Sequence, residues 1–194
     1  GCQTTKQVTI KNDFTKSLPN VEEWIGFAGT ASEVKNGVLV MTIKPGMVGA
    51  TSDPINKTER IEFGTRVTGY SWVTQSFKVK VGKDFRADKR TLIAQIKPWV
   101  TGMSPAVSVN LDRGGRVKCV DSDNLQAIAH TNRYSINLTD GKWHTVVMNY
   151  FKSDSNGYCE VIIDGTKIIK LTDYNSDHGV EETTARIGIY RDAL

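Results

Sequence analysis

Along much of this chain apolar and polar residues alternate with a period of two, the signature of strands with one buried face. In Arg186-Ile187-Gly188-Ile189-Tyr190 the first, third and fifth residues share one side, and the two isoleucines take the other. One face is oily; the opposite face carries a guanidinium, a gap and a phenol. The gap at Gly188 reads as a place where a ligand lies close to the backbone. Arg60-Ile61-Glu62-Phe63 repeats the design, and Leu92-Ile93-Ala94-Gln95-Ile96-Lys97 sets Gln95 and Lys97 opposite Ile96. Any half-exposed antiparallel strand alternates in this way. Taken together, the three predict one sheet with Arg60, Gln95, Lys97 and Tyr190 on a concave face. Ile61, Ile96 and Ile189 are then buried behind it.

The other predicted strands are bounded by Gly, Pro and Asx turns. They cover 7–11, Trp24 to Phe27, Gly37 to Lys44, Gly69 to Lys80, 106–111, 117–120, 134–138, 143–151, 158–164 and 167–171. Tyr70 and Trp72 share one parity and Phe77 and Val79 the other, which predicts a bulge between them. Residues 121–132 and 172–183 read as polar loops, and no amphipathic helix is evident. About twelve short strands imply an all-β fold, a two-sheet antiparallel β-sandwich of jelly-roll topology. With 194 residues and no linker or repeat, 1–194 reads as a single domain, 1–5 being a flexible N-terminus.

Composition changes this picture little. A net charge of +4, with Lys and Arg scattered, suits a polyanionic partner and lacks the basic tract of a nucleic-acid surface. No apolar run is long enough to span a membrane. A monomer is expected. Cys119 and Cys159 fall in predicted strands and are either a disulfide or two buried thiols; Cys2 stands apart. Gly1-Cys2 before a polar segment also fits a lipid-anchored mature N-terminus, consistent with a secreted or cell-surface protein.

The segment from Asp140-Gly141-Lys142-Trp143-His144 to Asp164-Gly165 resembles the hairpin pair of concanavalin-like jelly rolls, shared with laminin-G-like and pentraxin-like binding modules. It implies fold rather than activity, with Trp143 anchored between sheets and Asp164-Gly165 in a tight turn. The three polar-faced strands are more specific. They resemble jelly-roll alginate lyases, which carry an Arg-x-Glu strand, a Gln-(Ile/Val)-His strand and a C-terminal Lys-x-Gly-x-Tyr strand; heparin lyase I and glucuronan lyase are of similar design. Here Arg60-Ile61-Glu62, Gln95-Ile96-Lys97 and Arg186-Ile187-Gly188-Ile189-Tyr190 stand in the same order. Lys97 replaces the usual histidine, Arg186 a common lysine, and Gly64 a second arginine.

The resemblance implies cleavage of a uronic-acid polysaccharide such as glucuronan, alginate or a heparin-like glycan by β-elimination. A group must neutralise the uronate carboxylate so that its C5 proton becomes acidic, a base must take that proton, and an acid must protonate the leaving oxygen. Gln95 and Arg60 suit the first role and Tyr190 the acid. Lys97 is a base only in a dry or cationic setting, and otherwise holds the carboxylate. Glu62 orients Arg60 or Lys97, and Arg186 binds a neighbouring uronate. His144, His130 and His178 read as structural or loop residues. No cofactor and no catalytic metal is required; Asp121/Asp123 and Asp173/Asp177 are the places where a structural calcium would bind. The alternative function is a non-catalytic carbohydrate-binding module of laminin-G or lectin type. A retaining hydrolase on this fold needs a Glu-x-Asp-x-x-Glu strand, which is absent.

Overall fold

The period-two pattern is realised as strands almost throughout. The computed structural model describes residues 6–11, 23–26, 32–49, 53–69, 71–85, 89–99, 103–112, 114–122, 128–179 and 181–193. The expectations for 1–5, Cys2, Phe27, Tyr70 and Asp123 lie outside them.

The first strands are β1 (Lys6–Lys11), β2 (Glu23–Gly26), β3 (Ser32–Lys35) and β4 (Val38–Met41). A single short helix among the described residues, α1 (Asp53–Asn56), precedes β5 (Thr58–Thr68) and β6 (Ser71–Val79). Then come β7 (Thr91–Pro98), β8 (Val107–Asn110), β9 (Arg116–Asp121) and β10 (Ile128–Arg133). The chain closes with β11 (His144–Phe151), β12 (Tyr158–Ile163), β13 (Thr166–Thr172) and β14 (Glu182–Asp192).

Two sheets make the sandwich. One is ordered β1-β6-β11-β12-β13, the other β10-β9-β8-β7-β14-β5-β2, and β3-β4 form a separate hairpin. The fold is the predicted all-β jelly-roll sandwich, with one departure from antiparallel pairing: β1 runs parallel to β6. Between the sheets lie Val73, Phe77, Val146, Met148, Tyr150, Val161 and Ile163 from one side. Phe63, Ala94, Ile96, Val107, Val109, Val117, Ala185 and Ile187 face them. Burying a side chain of this size is worth about 1.5–3 kcal/mol, so this layer is the main source of stability. Cys119 and Cys159 form a disulfide joining β9 to β12, and so one sheet to the other.

Several expectations are corrected. β6 alternates without a bulge and pairs with β11 in unbroken register; Val73, Gln75 and Phe77 face in and Trp72 faces out. Residues 134–138 are not a strand: Tyr134 leaves the ladder, and its buried hydroxyl donates to the Asn110 carbonyl. The supposed loop 121–132 instead contributes β10, on which His130 lies exposed at the sheet edge. Trp143 is 50% exposed. It precedes β11 with the outward parity, and the buried anchor is its neighbour His144. That ring sits between Asp164 (2.6 Å) and Asp140 (2.8 Å). The hydrogen bonds to Asp164 and Asp140 raise the imidazole pKa above its ordinary value. Asp164 (φ 49°) and Gly165 (φ 78°) form the tight turn the sequence predicts, with the left-handed pair that a two-residue hairpin needs.

Candidate active site

Strands β7, β14 and β5 are adjacent in the seven-stranded sheet, and their register gathers the predicted residues on one face. Tyr190 pairs with Arg60, Gly188 with Glu62, and Arg186 with both Gly64 and Gln95. Lys97 pairs with Thr184. Ile61 and Ile96 are wholly buried behind them, as expected from side-chain parity, but Ile189 is only half-buried. The cause is a bulge: β14 carries an extra residue against β7 between Ile187 and Tyr190.

Gly188 lies in this bulge at φ 144°, and a Cβ there would stand 2.1 Å from the Ile61 carbonyl oxygen. The glycine is therefore set by the approach of β5, not by a gap left for a ligand. The irregular backbone is supported from the opposite sheet. Core Gln75 donates from Nε2 to the Arg186 carbonyl at 3.2 Å, which satisfies a buried polar pair.

Arg60 is 6% exposed and lies among carboxylates. Its Nε donates to both Asp53 oxygens (3.0 and 2.9 Å), Nη2 donates to Asp53 Oδ1 (2.7 Å), and Nη1 donates to Glu62 Oε1 (3.1 Å). Burial opposes its charge, but the Asp53 hydrogen bond and the two carboxylates outweigh it and raise its pKa. Asp53 is fully buried, and burial opposes its charge too. Arg60, Thr58 and the Gly49 amide hold its carboxyl below the usual range. Removing either partner would strand a buried charge at a cost of about 3–5 kcal/mol. The chain of contacts continues through Glu62 Oε2, which accepts from Gln95 Nε2 at 2.8 Å.

The Tyr190 ring lies against two guanidinium groups, Arg60 at 4.1 Å and Arg90 at 5.0 Å. Arg90 also pairs with Asp192. At the other end of the patch Trp99 stacks with Arg66 (4.5 Å) and Arg186 (5.5 Å). Arg186 rests over Gly64, where a Cβ would meet its Cγ at 3.1 Å and the Thr184 methyl at 2.6 Å. A larger residue at 64 would displace the Arg186 stem. The ammonium of Lys97 donates to the Pro98 carbonyl (3.1 Å), and its pKa is pushed down to about 8. Burial is the first cause, followed by the nearby charges of Arg186 and Arg60.

All six predicted residues thus share one face, but not one point. Six steps along β14, about 20 Å of strand, separate Tyr190 from Thr184, the partner of Lys97. Gln95 and Arg186 lie between these two ends. Sequence reasoning missed Asp53, Arg90 and Trp99. Asp53 sits before Pro54 at a helix start, a signal for a cap rather than for an arginine partner.

A family model described as polysaccharide lyase matches residues 31–193. The chain belongs to the polysaccharide lyase family. It is a lyase, and the expectation from the three strand motifs is met. Solved structures show the same fold at low identity. An endo-β-1,4-glucuronan lyase from the fungus Trichoderma reesei superposes with a TM-score of 0.62 at 16% identity, over 92% of this chain and 83% of its own. The alginate lyase Aly36B, as a double mutant with an alginate trisaccharide, gives 0.51 at 11%, over 88% and 85%. An endo-β-galactosidase from Clostridium perfringens gives 0.59 at 10%, over 94% of this chain and 56% of that one. No curated protein sequence matches significantly. No helix among the described residues is long and apolar enough to cross a membrane, and no three His, Cys, Asp or Glu among them are grouped to hold a metal.

Proposed function

We propose that this lyase cleaves a polyuronate of the glucuronan or alginate kind by β-elimination, outside the cell, with Lys97 taking the C5 proton and returning it to the leaving oxygen. One observation carries the reading: a lysine with its pKa near 8 stands one row from the Gln95–Arg186 pair, on the polar face that ends at Tyr190. Gln95 and Arg186 take the uronate carboxylate, an amide and a cation suited to a planar anion. Lys97, as the neutral amine, accepts the C5 proton as the C5–H bond breaks. The electron pair forms the C4–C5 double bond, the C4–O4 bond breaks, and O4 leaves with the proton that the Lys97 ammonium now carries. Tyr190, expected from its motif to be the acid, lies about 20 Å along β14 from the partner of Lys97 and holds a sugar further along the polymer.

Arg60 takes a different part from the one its motif suggests. With its nitrogens on Asp53 and Glu62, it positions Tyr190 and, through Glu62, Gln95. The cation for the substrate then comes from Arg186, over the space that Gly64 leaves. The disulfide suits an oxidising compartment, which supports an extracellular setting.

Each cleavage creates an unsaturated uronate that absorbs in the ultraviolet. The test is a panel of glucuronan, alginate and heparin followed by absorbance. A rise with glucuronan or alginate supports the reading. Binding with no rise on any substrate would turn it over to the lectin-like alternative.

A further inference from the structure

The outer face of the five-stranded sheet, on the far side of the sandwich from Tyr190 and Lys97, carries a second organised surface. Register aligns two rows of side chains across β6, β11 and β12. Trp72, Phe151 and Tyr158 form one; Thr74, Asn149 and Glu160 form the next. Trp72 lies parallel to Phe151 (4.7 Å, 12°) and meets Tyr158 at a tilt (5.2 Å, 53°). All three rings are only half-buried, though they sit on strands whose inward residues are fully buried. Between the rows lies a trough of about 370 Å³, closed on its third side by Gln7 and Thr9 of β1.

The polar row is held rigidly. Thr74 donates its hydroxyl to Asn149 Oδ1 (2.8 Å), and Asn149 Nδ2 donates to Glu160 Oε1 (3.0 Å). Glu160 also pairs with Lys167 at 3.3 Å, so the one acid in the row is locally neutralised. The Lys170 ammonium lies 5.8 Å from the Tyr158 ring and adds positive charge at that end. A tryptophan and a tyrosine beside a fixed amide and a fixed hydroxyl match a pyranose ring. Its C–H face is apolar and its rim is polar, and the volume is that of a small-ligand site.

We propose that this trough binds a stretch of acidic polysaccharide, its rings stacked on Trp72 and Tyr158, as a holding site separate from the elimination centre. The proposal rests on the chain acting on polysaccharide, as its family implies, but not on the roles of Lys97 or Tyr190. A lyase held on a long polymer at one face meets cleavable bonds at a raised effective concentration.

The test is electrophoresis through native gels cast with glucuronan, alginate or heparin, in a Lys97→Ala, Tyr190→Phe background first shown by ultraviolet absorbance to leave the polymers intact. Trp72→Ala is expected to weaken retention by about tenfold in at least one gel, the loss of one stacked aromatic. Thr9→Trp, an exposed edge-strand change that fills the trough, should do the same without touching the packed rings. In the wild-type background neither change should alter turnover of a short oligouronide. Retention unchanged by both variants, or no retention of the parent in any gel, overturns the proposal. If Trp72→Ala fails to fold, Thr9→Trp decides. Trough-dependent retention by a protein that cleaves none of the three polymers would leave this site standing and remove the elimination reading alone.

Discussion

At the residue scale, the chemistry turns on two side chains whose surroundings differ. Tyr190 lies against two guanidinium groups at the end of the patch away from Lys97. Lys97→Ala removes both the acceptor and the donor, so kcat should fall by about a hundredfold or more, whereas Tyr190→Phe keeps the ring and its cationic neighbours and should change kcat only a few-fold. Tyr190 and Lys97 stand at opposite ends of the patch, so a hundredfold loss in Tyr190→Phe would mean that the tyrosine, not Lys97, moves the protons. Lys97 is an acceptor only when neutral. With its pKa pushed down to about 8, kcat/KM should rise through that pH as the ammonium loses its proton. Lys97→His moves the accepting group to an ordinary pKa of about 6.5, and the inflection should move down with it. A histidine variant more active at acidic pH would mean that residue 97 pairs with the carboxylate instead.

At the element scale, the β11–β12 hairpin region shows how a motif can be legible while its working residue is misjudged. The Gly-Lys-Trp-His segment marks the entry to β11, yet the clamp is His144 between two aspartates. The sign of its pH dependence follows from the directions of the shifts. The raised imidazole pKa means the pair's contribution is complete below about pH 6.5 and is lost as pH rises through the folded value. The lowered Asp164 and Asp140 values mean it persists above about pH 3.9 and is lost as pH falls through theirs. The melting-temperature deficit of His144→Gln should therefore be larger at pH 6 than at pH 9. Equal deficits would show that ring packing, not the charge pair, is what His144 supplies.

At the scale of the whole molecule, the two sheets are held by a shared apolar layer and by one covalent link. The Cys119–Cys159 bridge spans a sequence separation of 40 and joins β9 to β12. In the chain-entropy view, closing such a loop destabilises the unfolded state by about 4 kcal/mol. Cys119→Ala with Cys159→Ala should lower the melting temperature by about 8–16 °C. Activity at room temperature should persist, because two strands separate β9 from β14. A melting temperature unchanged by the double substitution would show that the apolar layer alone joins the sheets.

What the chain determined unaided is what period and residue type carry. Alternation gave the all-β sandwich and the inward faces of β5 and β7, and it set Arg60 beside Glu62, Gln95 beside Lys97 and Arg186 beside Tyr190 on one side of each strand; that β7, β14 and β5 are neighbours came from the register of the sheet. Side-chain direction in a strand follows from parity alone. The Asp164-Gly165 turn was legible for the same reason: its backbone preference is local. Parity fails where a residue is added or a strand ends, which is why Ile189 is half-buried and Trp143 is out in solvent. Only the tertiary structure decided which partner each charged group has. Arg60 is taken by Asp53, whose place before Pro54 signals a helix start and not an arginine partner, and Gly188 is required by the Ile61 carbonyl on the next strand. The acidity of Lys97 belongs to the same class. Burial and the fields of Arg186 and Arg60 lower its pKa, and both depend on distances between strands far apart in the chain.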